Sequence, residues 1–373
     1  MVLYIHMRKK ILYLFLILVA IILIIFGGVF LAIRFNWLNV PGSIDPNSAL
    51  YTEELQKERE ITNTLPKNNS LYGINEKANW CKISLAADAN QRSAGAIFQA
   101  FQATHSENLL RRMLLAFSLH TSNPQEFMNG LENCGKNPGA ASLKILQERL
   151  VSPRGQSIYA WENGEPWNII KQGLIKDKDS IDKAAAAAGI QPRLLVSAII
   201  VEQLRLYYTQ RELFEKFFKP LKILANANKM AWGVMSIKEK MAIQTEWHLK
   251  DESSPFYLGK EKETLLDFPE NSDRAKIRYQ RLTNEQNHYY SYLYGALIIK
   301  QIETQWEKAG YPLYYRPEVV ATLFNIGFDK SKPKQNPEIG GSTLFIENKK
   351  YFFGSLAYEF YYSGTLGDIF PYK

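Results

Sequence analysis

A carboxylate in an apolar setting is the residue of this chain best placed to do chemistry. Glu202 lies in the run LLVSAIIVEQLRL, residues 194–206, and at helical spacing Leu195, Ala198, Ile199 and Leu206 share its face. Burying an ionised carboxylate among aliphatic groups is costly, so such a setting favours the protonated acid. An acid that keeps its proton near neutral pH is what protonating a glycosidic oxygen requires. The competing assignment is structural: Arg205, three residues on, can pair with Glu202 and make it a buried ion pair. Glu239 and Glu246 fall on a separate, less apolar segment, so only one embedded acid is identified. With five His and two Cys, neither Cys in a C-x-x-C pair, no metal site of conventional spacing is expected, and no cofactor.

Two later segments carry further binding chemistry. In Trp232-Gly233-Val234-Met235-Ser236-Ile237, Trp232 offers a stacking face for a pyranose, and Gly233 lets backbone come close to a ligand. Ser236 with Glu239 also reads as an S-x-x-E capping box, which is a structural role. In Ala321-Thr322-Leu323-Phe324-Asn325-Ile326-Gly327, Asn325 can hydrogen-bond a substrate N-acetyl group or cap the helix end.

Taken in order, the three segments resemble the blocks of the lysozyme-like lytic transglycosylases. The family's helix "pLLxAIIxxES" is similar to residues 194–203, its "GxMQI" loop to residues 233–237, and its "AxYNxG" block to residues 321–327. The resemblance covers roughly Ser180 to Phe328 and implies that Glu202 is the catalytic acid and base. It further implies that Gln203, Trp232, Gly233, Met235, Ser236, Phe324 and Asn325 line the substrate. Three positions depart from the pattern: Gln203 stands for the family's Ser, Ser236 for its Gln, and Phe324 for the Tyr that supports the catalytic carboxyl. That support would fall to Gln203 or to one of Tyr289, Tyr290, Tyr292, Tyr294, Tyr314 and Tyr315. The implied activity is cleavage of the bond between N-acetylmuramic acid and N-acetylglucosamine in peptidoglycan, with a muramidase-type hydrolysis as its close variant. From another class, a non-catalytic wall-binding or scaffold protein on the same fold is the alternative.

Those side chains need helices to hold them. Ser180 is expected to cap an alanine helix that Gly189 ends, and Pro192 to open the helix of Glu202, which runs to about Tyr207. Further helices are expected from Ser236 to His248, Asn284 to Lys308 and Pro317 to Phe324. Ser342–Ile346 and Lys350–Phe353 read as a hairpin around Glu347-Asn348-Lys349, with a helix Ser355–Tyr362 after it. Upstream, Asp88 to His120 is helical in period, with Ser106 a cap; Asn123-Pro124 and Gly135–Gly139 read as breaks before a helix from Ala140 to Leu150. The fold class is therefore mainly α: a lysozyme-like helical domain with a small C-terminal hairpin, preceded by a helical module and one N-terminal transmembrane helix. The divisions are residues 1–37 for tail and anchor, 38–70 for a polar linker with a short helix near Thr52–Ile61, 71–160 for the module, and 161–373 for the main domain.

Ile11 to Ile33 is uncharged and long enough to span a hydrocarbon core of about 30 Å. Arg8, Lys9 and Lys10 precede it and only Arg34 follows closely, which keeps the N-terminus cytoplasmic and sends the rest outside. No A-x-A-like site follows, so an uncleaved signal anchor is favoured over a signal peptide. In that compartment Cys81 and Cys134 have two readings, one disulfide or two buried thiols. The net charge of +8 suits an anionic polymer, and without a nucleic-acid motif the expected partners are glycan strands and the membrane, not nucleic acid.

Overall fold

The computed structural model of the chain describes residues 12–24, 27–28, 43–44, 76–139, 142–208, 231–347 and 349–372. It is mainly helical. The first helix, α1 (Leu12–Ile24), is apolar but short, and among the described residues no single helix is long and apolar enough to cross a membrane. Most of the expected linker, the short helix at 52–61 included, lies outside the described residues; its residues Ser43–Ile44 form a strand, β1.

Five helices follow as a bundle: α2 (Glu76–Ala89), α3 (Gln91–Thr104), α4 (Glu107–Ser118), α5 (Pro124–Lys136) and α6 (Leu143–Leu150). Four of them start on a side-chain cap. Asn90, Ser106, Asn123 and Ser142 each accept from the backbone N–H three residues on. Asn123-Pro124 therefore opens a helix instead of merely breaking one: Asn caps it and Pro takes the first position, where no N–H is needed. Cys81 on α2 and Cys134 on α5 form a disulfide, with their Cα atoms 5.6 Å apart and a sequence separation of 53. Closing a loop of that length removes about 4 kcal/mol of chain entropy from the unfolded state. The bundle buries its own core around Trp80, Ile83, Phe101, Met113 and Phe117, and Tyr358, Tyr361 and Tyr362 from the end of the chain complete it.

The larger core runs from Tyr159 to Phe370. It is built on α7 (Glu165–Lys176), α8 (Lys178–Ala188), α9 (Pro192–Tyr208), α10 (Glu239–Lys250), α11 (Arg274–Thr283), α12 (Tyr289–Lys308), α13 (Pro317–Ile326) and α14 (Phe353–Tyr362). Helix α8 begins at Lys178, so Ser180 lies inside it and is not its cap. Gly189 ends it at φ 78°, its N–H bonding the carbonyls of Ala185 and Ala186, and α9 leaves at 120°. Three antiparallel strand pairs decorate the helices. β2 (Ala231–Trp232) pairs with β3 (Ile237–Lys238), β1 with β4 (Gly340–Gly341), and β5 (Thr343–Ile346) with β6 (Lys349–Phe352) as the expected hairpin.

Arg193 in the first turn of α9 locks the core to the C-terminus. It is fully buried and donates to the carbonyls of Phe360, Tyr361, Thr365 and Phe370 at 2.9–3.2 Å, with its guanidinium 4.1 Å from the centre of the Tyr372 ring. A cation on the last carbonyls of α14 satisfies acceptors that the helix itself cannot.

Candidate functional site

Helix α9 is buried on all sides through its middle, because α14, α13 and the β5 strand pack around it. Glu202 is 3% exposed there. Its carboxylate does not stand bare among aliphatic groups: Arg205 Nε donates to Oε2 at 3.0 Å and Nη2 to Oε1, with both side chains buried. Two parallel bonds from one guanidinium fix the plane of the carboxyl. The pairing partner identified from spacing is thus the one the fold uses.

Gln203, half-buried, turns the other way. Its Nε2 donates to the carbonyl of Val234 at 2.6 Å, which ties the helix of Glu202 to the 233–236 loop across 31 residues of sequence. That loop is a tight turn closed by Ser236 N–H on Gly233 O at 3.0 Å. Gly233 has φ 69°, and a Cβ there would lie 1.8 Å from the carbonyl oxygen of Leu282. Its missing side chain is demanded by protein backbone, not by a ligand. Met235 is buried in the main core and packs on Gly295 of α12, where a Cβ would meet Met235 Cε at 2.6 Å. Ser236 adopts φ 46°, which non-glycine residues seldom do, and its buried Oγ finds no hydrogen-bond partner among the described residues. It does not form the expected capping box: α10 starts after Lys238 with no side-chain cap, and Glu239 lies 3.8 Å from Arg278 Nη1. Trp232 pairs through its backbone with Ile237, and its side chain lies outside the described residues.

At the third block, Asn325 Oδ1 accepts from Ser342 N at 2.8 Å and Ser342 Oγ at 3.0 Å. The amide oxygen thus joins the end of α13 to the strand after Gly341. A Cβ on Gly341, at φ 97°, would reach Asn325 Oδ1 at 3.1 Å and Phe353 Cβ at 2.8 Å, so the close approach needs glycine. Phe324 is core, its ring roughly parallel to that of Phe353 with centroids 6.4 Å apart.

None of the tyrosines weighed as a support for Glu202 donates to it. Tyr292 donates to Asp177 at 2.7 Å, Tyr294 to Glu246 at 2.5 Å, and Tyr314 to Glu307; burial and those carboxylates push the first two phenols well above their ordinary range. Tyr289 and Tyr290 meet edge to face at 5.4 Å, and Tyr315 lies against Arg112. Glu246 is also held by Arg278 through two bonds of 2.7 and 2.6 Å. Among the described residues no group of three or more His, Cys, Asp or Glu is arranged to hold a metal.

Two features escaped the sequence. Ser342 as the partner of Asn325 has no local signal. Nor has the buried joint between bundle and main core, where His120 Nε2 lies 2.9 Å from Glu359 Oε1 and Lys349 Nζ lies 2.8 Å from His120 Nδ1. Only the unusual placement of Glu359 on an otherwise apolar helix hinted at it.

What the fold defines is a class: a mainly α protein with a buried glutamate paired to an arginine, on a helix whose next residue, Gln203, is tied to a glycine turn. The chain matches no family model, no curated protein and no solved structure.

Proposed function

We propose that the protein is a peptidoglycan lytic transglycosylase with a lysozyme-like main domain, held at the membrane by its apolar N-terminal segment and working outside the cytoplasm. The observation that carries the reading is the Gln203–Val234 bond, which brings the segment of Glu202 against the Gly233-Val234-Met235-Ser236-Ile237 loop. These are two of the three segments whose order resembles that family.

In this mechanism Glu202 gives its proton to the glycosidic oxygen of the leaving N-acetylglucosamine and the bond from C1 of the muramyl residue breaks. As carboxylate, Glu202 then takes the proton from the muramyl C6 hydroxyl while O6 bonds to C1, leaving a 1,6-anhydro end and consuming no water. One carboxyl suffices because the substrate supplies the nucleophile. A protonated Glu202 can accept from Arg205 through one oxygen only, so Arg205 holds a single oxygen of the acid and takes up both, as seen here, once the proton has gone and the carboxylate has formed. Asn325, steadied by Ser342, presents its amide nitrogen to an acetamido oxygen.

The second reading is a wall-binding scaffold without turnover, and the observation that favours it is the Glu202–Arg205 pair, which is also a sound structural brace. Digestion of purified peptidoglycan by the full-length chain and by its Glu202→Gln variant separates the two. Anhydro-muropeptides from the parent alone support the proposal; reducing ends instead indicate a muramidase. Wall binding with no product from either protein leaves the scaffold.

A further inference from the structure

The loop between α12 and α13 turns three tyrosines outward. Leu313 and Arg316 are buried and anchor it, while Tyr311, Tyr314 and Tyr315 remain 41%, 62% and 58% exposed. Large aromatic rings gain most by burial, so three on one short loop left in water form an unusual surface. None of them belongs to the site around Glu202. Asn325 stands at the far end of the ten-residue helix that Pro317 opens, about 15 Å away along its axis.

Tyr315 is held there against its own backbone preference. Its φ is 58°, a conformation that costs a bulky residue on the order of 1–3 kcal/mol and persists only where the surroundings impose it. Here they do: its carbonyl accepts from Arg112 Nη1 at 3.1 Å and from the hydroxyl of Tyr362 at 2.8 Å. The Arg112 guanidinium also backs the Tyr315 ring, 4.9 Å from its centre. One face of the ring is thus stacked on a cation supplied by α4 of the N-terminal bundle, and the rest is open. Beside it the Tyr314 hydroxyl is fixed by the carboxylate of Glu307. Rigid phenol rings rimmed by a guanidinium and a carboxylate suit a ligand with an apolar ring face and hydroxyls at its edge. An apolar helix would want aliphatic neighbours, and a nucleic acid would want a cluster of cations along its phosphates.

We propose that Tyr314 and Tyr315, backed by Arg112, form a second glycan-stacking surface that holds a sugar of the strand at a distance from Glu202. This rests on the reading of the wall as substrate, and it gives the N-terminal bundle a function, that of supporting Tyr315 from beneath.

The test is co-sedimentation of the full-length chain with purified peptidoglycan, before and after the stem peptides are removed enzymatically, in the Glu202→Gln background so that the strand stays whole. Tyr315→Gly is the informative variant, because glycine accepts φ 58° and should leave the melting temperature unchanged or higher. With Tyr314→Ala it should weaken retention on both materials by about two- to tenfold per ring, the range of one aromatic contact. Tyr315→Trp should restore it. Retention unchanged in the double variant overturns the proposal, as does retention that disappears with the stem peptides, which would mark a peptide-binding surface. The proposed activity is read separately from anhydro products of the parent: a chain that cuts but ignores the tyrosine changes loses only the second surface, and one that binds through the tyrosines but never cuts loses only the enzyme reading.

Discussion

Glu202 and Arg205 are two buried charges that stabilise one another only while both are present. Removing a single partner from such a pair leaves an uncompensated charge in the core, at a cost of about 3–5 kcal/mol. Arg205→Met should therefore lower the unfolding free energy by about that amount in urea titrations, because Glu202 is left 3% exposed with no cation on its oxygens. Glu202→Gln should cost less, since a neutral amide still accepts from the guanidinium. The double variant Glu202→Gln/Arg205→Met should recover most of the loss, and the resulting cycle measures the coupling. Additive losses would mean that the pair is solvated and that its carboxyl is not held by Arg205. At this scale the sequence was informative where partners are one helical turn apart, as Glu202 and Arg205 are. It was silent where they are brought together by the chain's return, as with Asn325 and Ser342 or His120 and Glu359.

The elements were legible where local chemistry decides them. Gly189 and Pro192 mark the bend between α8 and α9, and the C-terminal hairpin stands at the expected strands, because turn and cap residues act within a few positions. Ser180 misled because α8 begins two residues earlier, at Lys178, and the Ser236–Glu239 box misled because the turn takes the Ser236 N–H that the box needs. Gly233 and Gly295 are a matched pair for testing that loop. At Gly233 an added Cβ would strike the backbone carbonyl of Leu282 at 1.8 Å, and φ 69° is unfavourable as well. Neither can relax without moving α11 or unwinding the turn. At Gly295 the added atom would press hardest on the methyl end of Met235, which can swing away, and alanine gains about 1 kcal/mol in helix propensity. Gly233→Ala should thus cost several kcal/mol and expose the loop to limited proteolysis, while Gly295→Ala should change stability by no more than about 1 kcal/mol. Equal effects at the two sites would show that the loop is not pinned to Leu282.

For the whole molecule, a buried histidine and a half-buried glutamate set opposite pH dependences. His248 on α10 is wedged between Phe256 and Phe328, with Nδ1 2.7 Å from Ser254 Oγ, and burial lowers it to about 4 despite the attraction of Asp251 and Asp329. Between pH 4 and the ordinary histidine value near 6.5 the unfolded chain binds the extra proton, so this contribution to stability is lost as pH falls. Glu303 on α12 is raised to about 7, chiefly by burial, with Glu307 adding to the rise and Lys300 opposing it. Above its unfolded value near 4.5 the unfolded chain gives up the proton first, so this contribution is lost as pH climbs toward 7. Over about pH 4.5 to 6.5 the two slopes oppose one another, each at most about 1.4 kcal/mol per pH unit. Guanidinium unfolding at pH 4.5, 5.5 and 6.5 should give nearly the same contribution from this pair in the parent. Glu303→Gln should make stability rise with pH across that window, and His248→Asn should make it fall. If both variants kept the slope of the parent, neither side chain would be shielded from water as the two shifts require.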